Sequence, residues 1–409
     1  MTHRWRCVKK NEIWKKNFLE NKFLRKTKIR KGDLRNCHKE KEKKRNPRNN
    51  RVPLFFVKMG KMIGLSFDLK TDLVASQGDP LDLSAELDTP KTVEAIAQAV
   101  ESGGHTVKRI GHVWNLLKNW DDLDVDIVFN ICEGHLGRNR ESQVPLLLEM
   151  KGIPYVGSDA LTLGITLDKI VAKKCFIADR IPTPHYFAAV AGDNLRKLCK
   201  LAFPLIVKPH HEGSSKGLSK NSRVINFTEL KKQVDVINGV YQQTALVEEF
   251  IKGTEFTVGV IGNEHPLALP VVQIAIEGKR ELGDDFYTFT RLSQQTDQIQ
   301  YLCPAQIPKR LLKTLQEIAV AAYKSVGCVD FGRIDFRVDE KGRPYVLEIN
   351  PLPCLSPEDT FFFMAKAKGW TYAEIINRIL DEGLKRYGLW GSRVTRKQSP
   401  VRPGETASV

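Results

Sequence analysis

The chain has 409 residues, 42% hydrophobic and 27% charged, which is ordinary for a globular protein and enough for two or three domains. Its net charge of +16 lies wholly in residues 1–58, which hold 21 Lys and Arg against 5 Asp and Glu, while the remaining residues balance at 43 against 43. The body beyond residue 58 therefore gives no global electrostatic reason to bind nucleic acid or a membrane, leaving residues 1–58 as the one candidate for nucleic acid. Eight scattered cysteines with no Cys-x-x-Cys pattern argue for reduced thiols in the cytoplasm rather than a disulfide frame or a zinc site. No apolar run is long enough to cross a bilayer, and the basic N-terminus lacks the apolar core of a signal peptide.

Residues 1–58 read as a disordered extension. A nucleic-acid arm, a targeting segment and upstream sequence from a mis-assigned start all remain open. The third is favoured because Met59 and Met62 stand just before the first convincing strand, Ile63–Phe67. An α/β pattern follows. Thr89-Pro90 caps and opens a helix through about Glu101, and Gly103-Gly104 ends it. Strand His105–Ile110, a helix around Trp114–Trp120 and strand Val125–Asn130 come next. The loop Glu133–Arg140 leaves a strand's carboxyl end, a place where parallel sheets commonly meet ligands, and is a candidate substrate wall. Helix Ser142–Lys151 and a short strand Pro154–Val156 close a unit over 59–166.

A helix from Leu167 to Asp179 opens a second unit, 167–249. It continues with helix Asn194–Leu201, strand Leu205–Lys208, loop His210–Gly217, helix Thr228–Ile237 and strand Ala245–Glu249. A third unit, 250–389, carries strands Glu255–Ile261 and Ala268–Ile276. An irregular loop from Glu277 to Cys303 follows, long enough to expect a functional segment such as a lid. Helix Lys309–Val326, a hairpin, and helices Phe361–Lys368 and Thr371–Tyr387 complete it. Residues 390–409 read as a floppy tail.

The hairpin is Phe331–Val338, a turn at Lys341-Gly342, then Tyr345–Ile349. Side chains alternate across a strand, so Arg333 and Asp335 share a face. With the turn so centred, Asp335 lies opposite Glu348 and Arg333 opposite Asn350. Two opposed carboxylates are destabilising unless a cation lies between them, and Mg²⁺ accepts hard oxygen ligands of this kind. A surface hairpin with solvated charges explains the alternation about as well. Lys208 ends the apolar run Phe203–Val207 and needs an anionic partner, either a phosphate or a structural carboxylate. The glycine-bearing loop after it can offer backbone N–H groups to phosphate but is not a Walker loop. Glu248 and Glu249 close another apolar run, either as base- and ribose-binding acids or as surface charge.

Taken in order, Leu167-Asp168-Lys169, Ile206-Val207-Lys208-Pro209, Glu212-Gly213-Ser214-Ser215-Lys216-Gly217, Glu255-Phe256-Thr257, Gly332-Arg333-Ile334-Asp335 and Leu347-Glu348-Ile349-Asn350 resemble the ATP-grasp superfamily. Within it they resemble the D-alanine–D-alanine ligase branch. The resemblance spans about Met62 to Leu389 and implies a three-unit α/β architecture, an N-terminal parallel-sheet domain followed by two α+β subdomains clamping ATP. It implies that Lys169 and Lys208 hold ATP phosphates. Glu248 and Glu249 with the Phe250-Ile251 backbone would sit at the adenine, and Glu255 at the ribose. Asp335, Glu348 and Asn350 would ligate two Mg²⁺ ions, with Mn²⁺ as a substitute. Arg333 would stabilise the oxyanion, and Ser214 and Ser215 would contact substrate and phosphate. The implied reaction activates a carboxylate as an acyl phosphate, which an amine then attacks. The implied partners are small amino-acid substrates, and a homodimer stays open.

The departures fall on the amino-acid side. The first loop, Gly64–Lys70, lacks the family's glutamate, for which Asp68 and Glu133 are the available stand-ins. Phe286–Ser293 lacks the family's Lys-Tyr pair, although Arg291 is placed to reach phosphate. Cys354 stands for a glycine, and Glu358-Asp359 stand where a serine receives the second substrate's carboxylate. A ligase for a different amino acid or a larger carboxylate, and a nucleotide-binding regulator without catalysis, are the rival functions.

Overall fold

The computed structural model describes residues 60–73, 79–294 and 296–390. The expectations for the N-terminal extension and for the tail beyond residue 390 lie outside the described residues. Within them, no helix is long and apolar enough to cross a membrane.

Strands β1 (Met62–Phe67), β2 (Thr106–Gly111), β3 (Ile127–Ile131) and β4 (Tyr155–Val156) form a parallel sheet in the order β2-β1-β3-β4. Parallel sheets are buried on both faces, which is why every residue of β3 is buried and Asn130 is its one polar member. Helix α1 (Pro90–Ser102) covers it, with Thr89 accepting from Thr92 N at its cap, as do α2 (Val113–Lys118) and α3 (Gln143–Lys151). Two helices follow where one was expected. Helix α4 (Ala160–Leu167) ends at Asp168, and α5 (Lys169–Ala178) starts there. The extended backbone of Asp168 breaks the helix, and its carboxylate caps α5 by accepting from Ile170 N and Val171 N at 3.0 Å. Lys169 is thereby aimed from a first helical turn rather than from a helix interior.

The second sheet is antiparallel, in the order β5-β8-β6-β7: β5 (Tyr186–Ala189), β6 (Leu205–Pro209), β7 (Arg223–Val224) and β8 (Ala245–Glu249). Here α6 (Leu195–Leu198) is shorter than expected, and α7 (Phe227–Val240) packs on one face. The third sheet contains β9 (Gly253–Ile261), β10 (Leu267–Ala268), β11 (Val272–Ile276), β12 (Ile299–Leu302), β13 (Phe331–Asp339) and β14 (Pro344–Asn350). Pro270 splits the expected strand 268–276 into β10 and β11. The expected irregular loop 277–303 holds helix α8 (Phe289–Gln294) and β12, which pairs with β11 from Gln273↔Leu302 to Ile276↔Ile299. Its cross-strand partner stabilises β12, so a local reading misses it. Helices α9 (Lys309–Ser325), α10 (Thr360–Ala367) and α11 (Tyr372–Arg386) complete the described residues. One apolar cluster joins the first sheet and α1 to α10, α11 and Phe331, so the third sheet is locked to the first by hydrophobic burial.

The loop between β6 and β7 is held in a demanding conformation. Gly217 has φ +75°, and a Cβ there would come within 2.4 Å of the Pro209 ring. Ser214 and Ser215 also take positive φ, 46° and 58°, a strain of order ~1–3 kcal/mol at each residue. Gly217→Ala is expected to destabilise the fold by ~1–2 kcal/mol, read by thermal melting.

Candidate active site

The chemistry begins at β13 and β14. Their register places Arg333 opposite Asn350 and Asp335 opposite Glu348, and a bulge follows between Asp335 and Phe336. Arg333 grips Asp335 bidentately, at 3.0 and 2.9 Å. Asn350 Nδ2 and Thr257 Oγ1 also donate to Asp335, at 3.0 and 2.5 Å. Glu348 is held by Lys169 at 3.0 Å. Burial opposes the charge of Glu348, but Lys169 and Lys208 hold its pKa down at about 2. Burial works against the Lys169 ammonium, yet Glu348 keeps it above its ordinary value. The opposed carboxylates are thus tolerated by one cation on each, as cross-strand electrostatics require.

Lys208 leaves β6 and meets Glu248 Oε2 of β8 at 2.6 Å. Lys173, one turn after Lys169 on α5, reaches Glu248 Oε1 from the other side and donates to Thr183 at 2.5 Å. Burial pulls Lys173 down to about 8 despite that carboxylate. Burial also works against the charge on Glu248, yet the two lysines keep it below its ordinary value. Glu249 is half-buried one residue on, and Phe250 lies under the guanidinium groups of Arg337 and Arg223, 4.8 and 5.1 Å from its ring centroid. Arg337 donates to Ile251 O at 2.5 Å and to Glu255 at 2.5 Å. Burial raises the Glu255 carboxyl even with Arg337 beside it.

Apart from Lys173, Thr183 and Arg223, these groups line one cavity of ≈ 250 Å³. Every residue that the resemblance assigns to ATP, metal or the oxyanion lines it, including the exposed Ser214 and the half-buried Ser215. Of the stand-ins for the amino-acid side, Glu133 lines the cavity. Asp68 does not; it is buried, accepts from Gly134 N at 2.8 Å and sits 3.4 Å from His135. The expectation for Arg291 fails in this conformation, because Asp285 holds it at 2.5 and 2.9 Å and it does not line the cavity. Glu358 pairs with Lys91 away from the cavity, whereas Cys354 and Asp359 line it.

The sequence missed a second charged layer. Arg140 contacts Glu86 at 2.8 and 3.0 Å and Glu212 at 3.3 Å. Lys216 bridges the same acids, at 3.2 Å to Glu86 and 2.5 Å to Glu212. Glu86 also accepts from Gly213 N at 2.5 Å, so it straps the serine loop to the first sheet's domain. Glu141 is buried beside them, and burial with the nearby Glu86 raises it to about 8. Lys173 carried one signal, its one-turn spacing from Lys169. Arg140 ends the loop read as a candidate substrate wall, whereas Glu86 and Glu141 carried no signal.

For Glu141 the native state holds its proton between the ordinary value and about pH 8 and the unfolded chain does not. That contribution is therefore present at low pH and lost as pH rises through 8. Glu141→Gln is expected to flatten the decline of melting temperature between pH 5 and 8, and an unchanged slope would contradict the raised carboxyl.

The sheet order and the convergence of lysines, acids and a serine loop on one cleft define an ATP-grasp ligase fold. A family model described as D-ala D-ala ligase C-terminus matches residues 185–381. A D-alanine–D-alanine ligase of Carboxydothermus hydrogenoformans is 32% identical over 304 residues, covering 72% of this chain and 93% of that protein. An uncharacterized protein, y4sG, of Sinorhizobium fredii is 37% identical over 261 residues, covering 64% of this chain and 75% of that protein. The crystal structure of the Bacillus anthracis D-alanine–D-alanine ligase complexed with ATP superposes with TM-score 0.62 at 23% identity, over 80% of this chain and 99% of that one. That likeness speaks to the fold. The chain belongs to the D-alanine–D-alanine ligase family, ATP-dependent ligases that form carbon–nitrogen bonds.

Proposed function

We propose that the chain activates the carboxylate of a small amino acid with ATP and Mg²⁺ and joins it to an amine. The observation that supports this most is the convergence of Lys169, Lys208, Arg333, Asp335, Glu348 and Asn350 on one cavity. In the first step a carboxylate oxygen attacks the γ-phosphorus of ATP. An O–P bond forms, the bond to the β-phosphate oxygen breaks, and ADP leaves. In the second the amine attacks the acyl carbon, the C–O bond to phosphate breaks, and the amine proton leaves with inorganic phosphate.

Lys169 and Lys208 face the phosphates, and the 212–217 loop covers them with Ser214 and Ser215. Glu248, Glu249 and the Phe250-Ile251 backbone take the adenine, and Glu255 the ribose. Arg333 faces the charge that develops on the acyl oxygen. Positioning and charge neutralisation of this kind are most of what phosphoryl transfer needs from a protein. Two carboxylates and an amide oxygen form the hard donor set that Mg²⁺ prefers, so Asp335, Glu348 and Asn350 fit it. Bound there, Mg²⁺ would neutralise phosphate charge. Lys173 acts behind Glu248, holding it between two lysines.

D-alanine, the amino acid in the relatives' names, is the first candidate for the activated carboxylate. The test is ADP release by the full chain with Mg-ATP and paired amino acids, with hydroxylamine added in parallel to trap the acyl phosphate as a hydroxamate. Dependence on one amino acid in both assays is expected, and ATP turnover indifferent to every amino acid would refute the ligase reading.

A further inference from the structure

An acceptor that is itself an amino acid brings a carboxylate that does not react and must be housed in the cavity. Such a group needs a cation or free N–H groups. The cations that line the cavity are Lys169, Lys208, Lys216, Arg333 and Arg337, and each is already paired with a carboxylate. On the ligase reading above, on which this inference rests, Lys169, Lys208 and Arg333 turn to the phosphates and the acyl oxygen. Lys216 lies between two acids, Glu86 and Glu212, and Arg337 is held over the Phe250 ring by Glu255 and backbone carbonyls.

The N–H groups at the start of α10 are no better placed to receive it. Asp359 caps that helix, its carboxylate accepting from Thr360 N at 2.5 Å and Thr360 Oγ1 at 2.7 Å, 3.9 Å from Arg333 Nη1. The carboxylate of Asp359 therefore already occupies the place where this wall would receive an anion. Glu133 lines the same cavity without a hydrogen bond or ion pair among the described residues. Burial, followed by repulsion from Glu141 and Glu86, pushes its carboxyl far above its ordinary value. The substrate end of the cavity thus holds more carboxylate than the chain can match, and a positive or neutral ligand relieves it where a second anion aggravates it.

We propose that the acceptor is an amine bearing no carboxylate beside its amino group (an amino-acid amide, an amino alcohol or a diamine), and that Asp359 is the residue that excludes the free amino acid. Attack by such an amine forms the same C–N bond and releases the same phosphate; only the substituent against the Cys354–Thr360 wall differs.

The test uses the full chain, Mg-ATP and the carboxylate donor that gives the strongest hydroxamate, with D-alaninamide, 1,2-diaminopropane or D-alanine as competing acceptors and products separated by mass. Products of the amide and the diamine are expected to exceed the product with D-alanine by about tenfold or more. Asp359→Asn keeps the helix cap while removing the charge. It is expected to move the ratio at least about fivefold toward D-alanine. Hydroxamate formation together with D-alanine coupling as efficiently as D-alaninamide in the native chain would overturn the inference, whatever the variant does. An unchanged ratio in a folded Asp359→Asn protein would overturn the assignment to Asp359. Absence of hydroxamate with every donor would instead remove the ligase reading, and the inference with it.

Discussion

Replacing Asp335 by Asn and Glu348 by Gln together is expected to abolish magnesium-dependent ADP release, a loss of ~10³-fold or more. Both side chains keep their shape and hydrogen-bonding capacity, so the hairpin register has no steric reason to change. The charge balance does change. Arg333 loses the carboxylate it grips bidentately, and Lys169 loses its ion pair at 3.0 Å. A buried lysine without its anion titrates lower, because burial disfavours the charged form. The variant should therefore lose catalysis far out of proportion to any loss of melting temperature. Turnover at the native rate in a folded double variant would exclude Asp335 and Glu348 as metal ligands.

The second large effect is on stability. Glu248 lies buried between Lys173 and Lys208, and Glu248→Ala leaves two buried ammonium groups facing each other. Removing one partner of a buried ion cluster typically costs ~3–5 kcal/mol. The cost should fall as pH rises. Lys173 already sits at about 8 in the native chain, below the ordinary lysine value. Between about 8 and that ordinary value the unfolded chain binds a proton that the native state does not, so stability rises with pH there. Without Glu248, Lys173 drops further and the rise begins at lower pH. Melting of the native chain and of Glu248→Ala from pH 6 to 9 reads this directly. A melting-temperature deficit that stays constant across the range would mean that Lys173 does not titrate there.

Asp335 and Glu348 were nominated because a hairpin is local. Once its turn is placed at Lys341-Gly342, side-chain alternation alone sets who faces whom, and the observed register is that one. Lys208 was nominated because a lysine at the end of an apolar strand demands an anion. Its observed anion is Glu248, one of the two alternatives that local reasoning had left open. Strand β12 was missed for the opposite reason: it is a strand by virtue of β11, and nothing between residues 277 and 303 encodes that partner.

The sequence by itself determined the alternation of strands and helices, the confinement of excess charge to residues 1–58, and the ordered set of lysines, acids and serines that suits ATP. Those properties live in short windows, where periodicity, caps and turns act over a few residues. The tertiary structure alone decided that these windows meet in one cavity. It also decided that Glu86 and Arg140 strap the serine loop, 127 residues away at the Glu86–Gly213 bond, and that Asp359 turns its carboxylate onto the start of α10. The physical reason is that charge balance belongs to a volume rather than to a stretch of chain. Whether a carboxylate is a ligand, a strut or a barrier depends on which cations folding brings within a few ångströms of it.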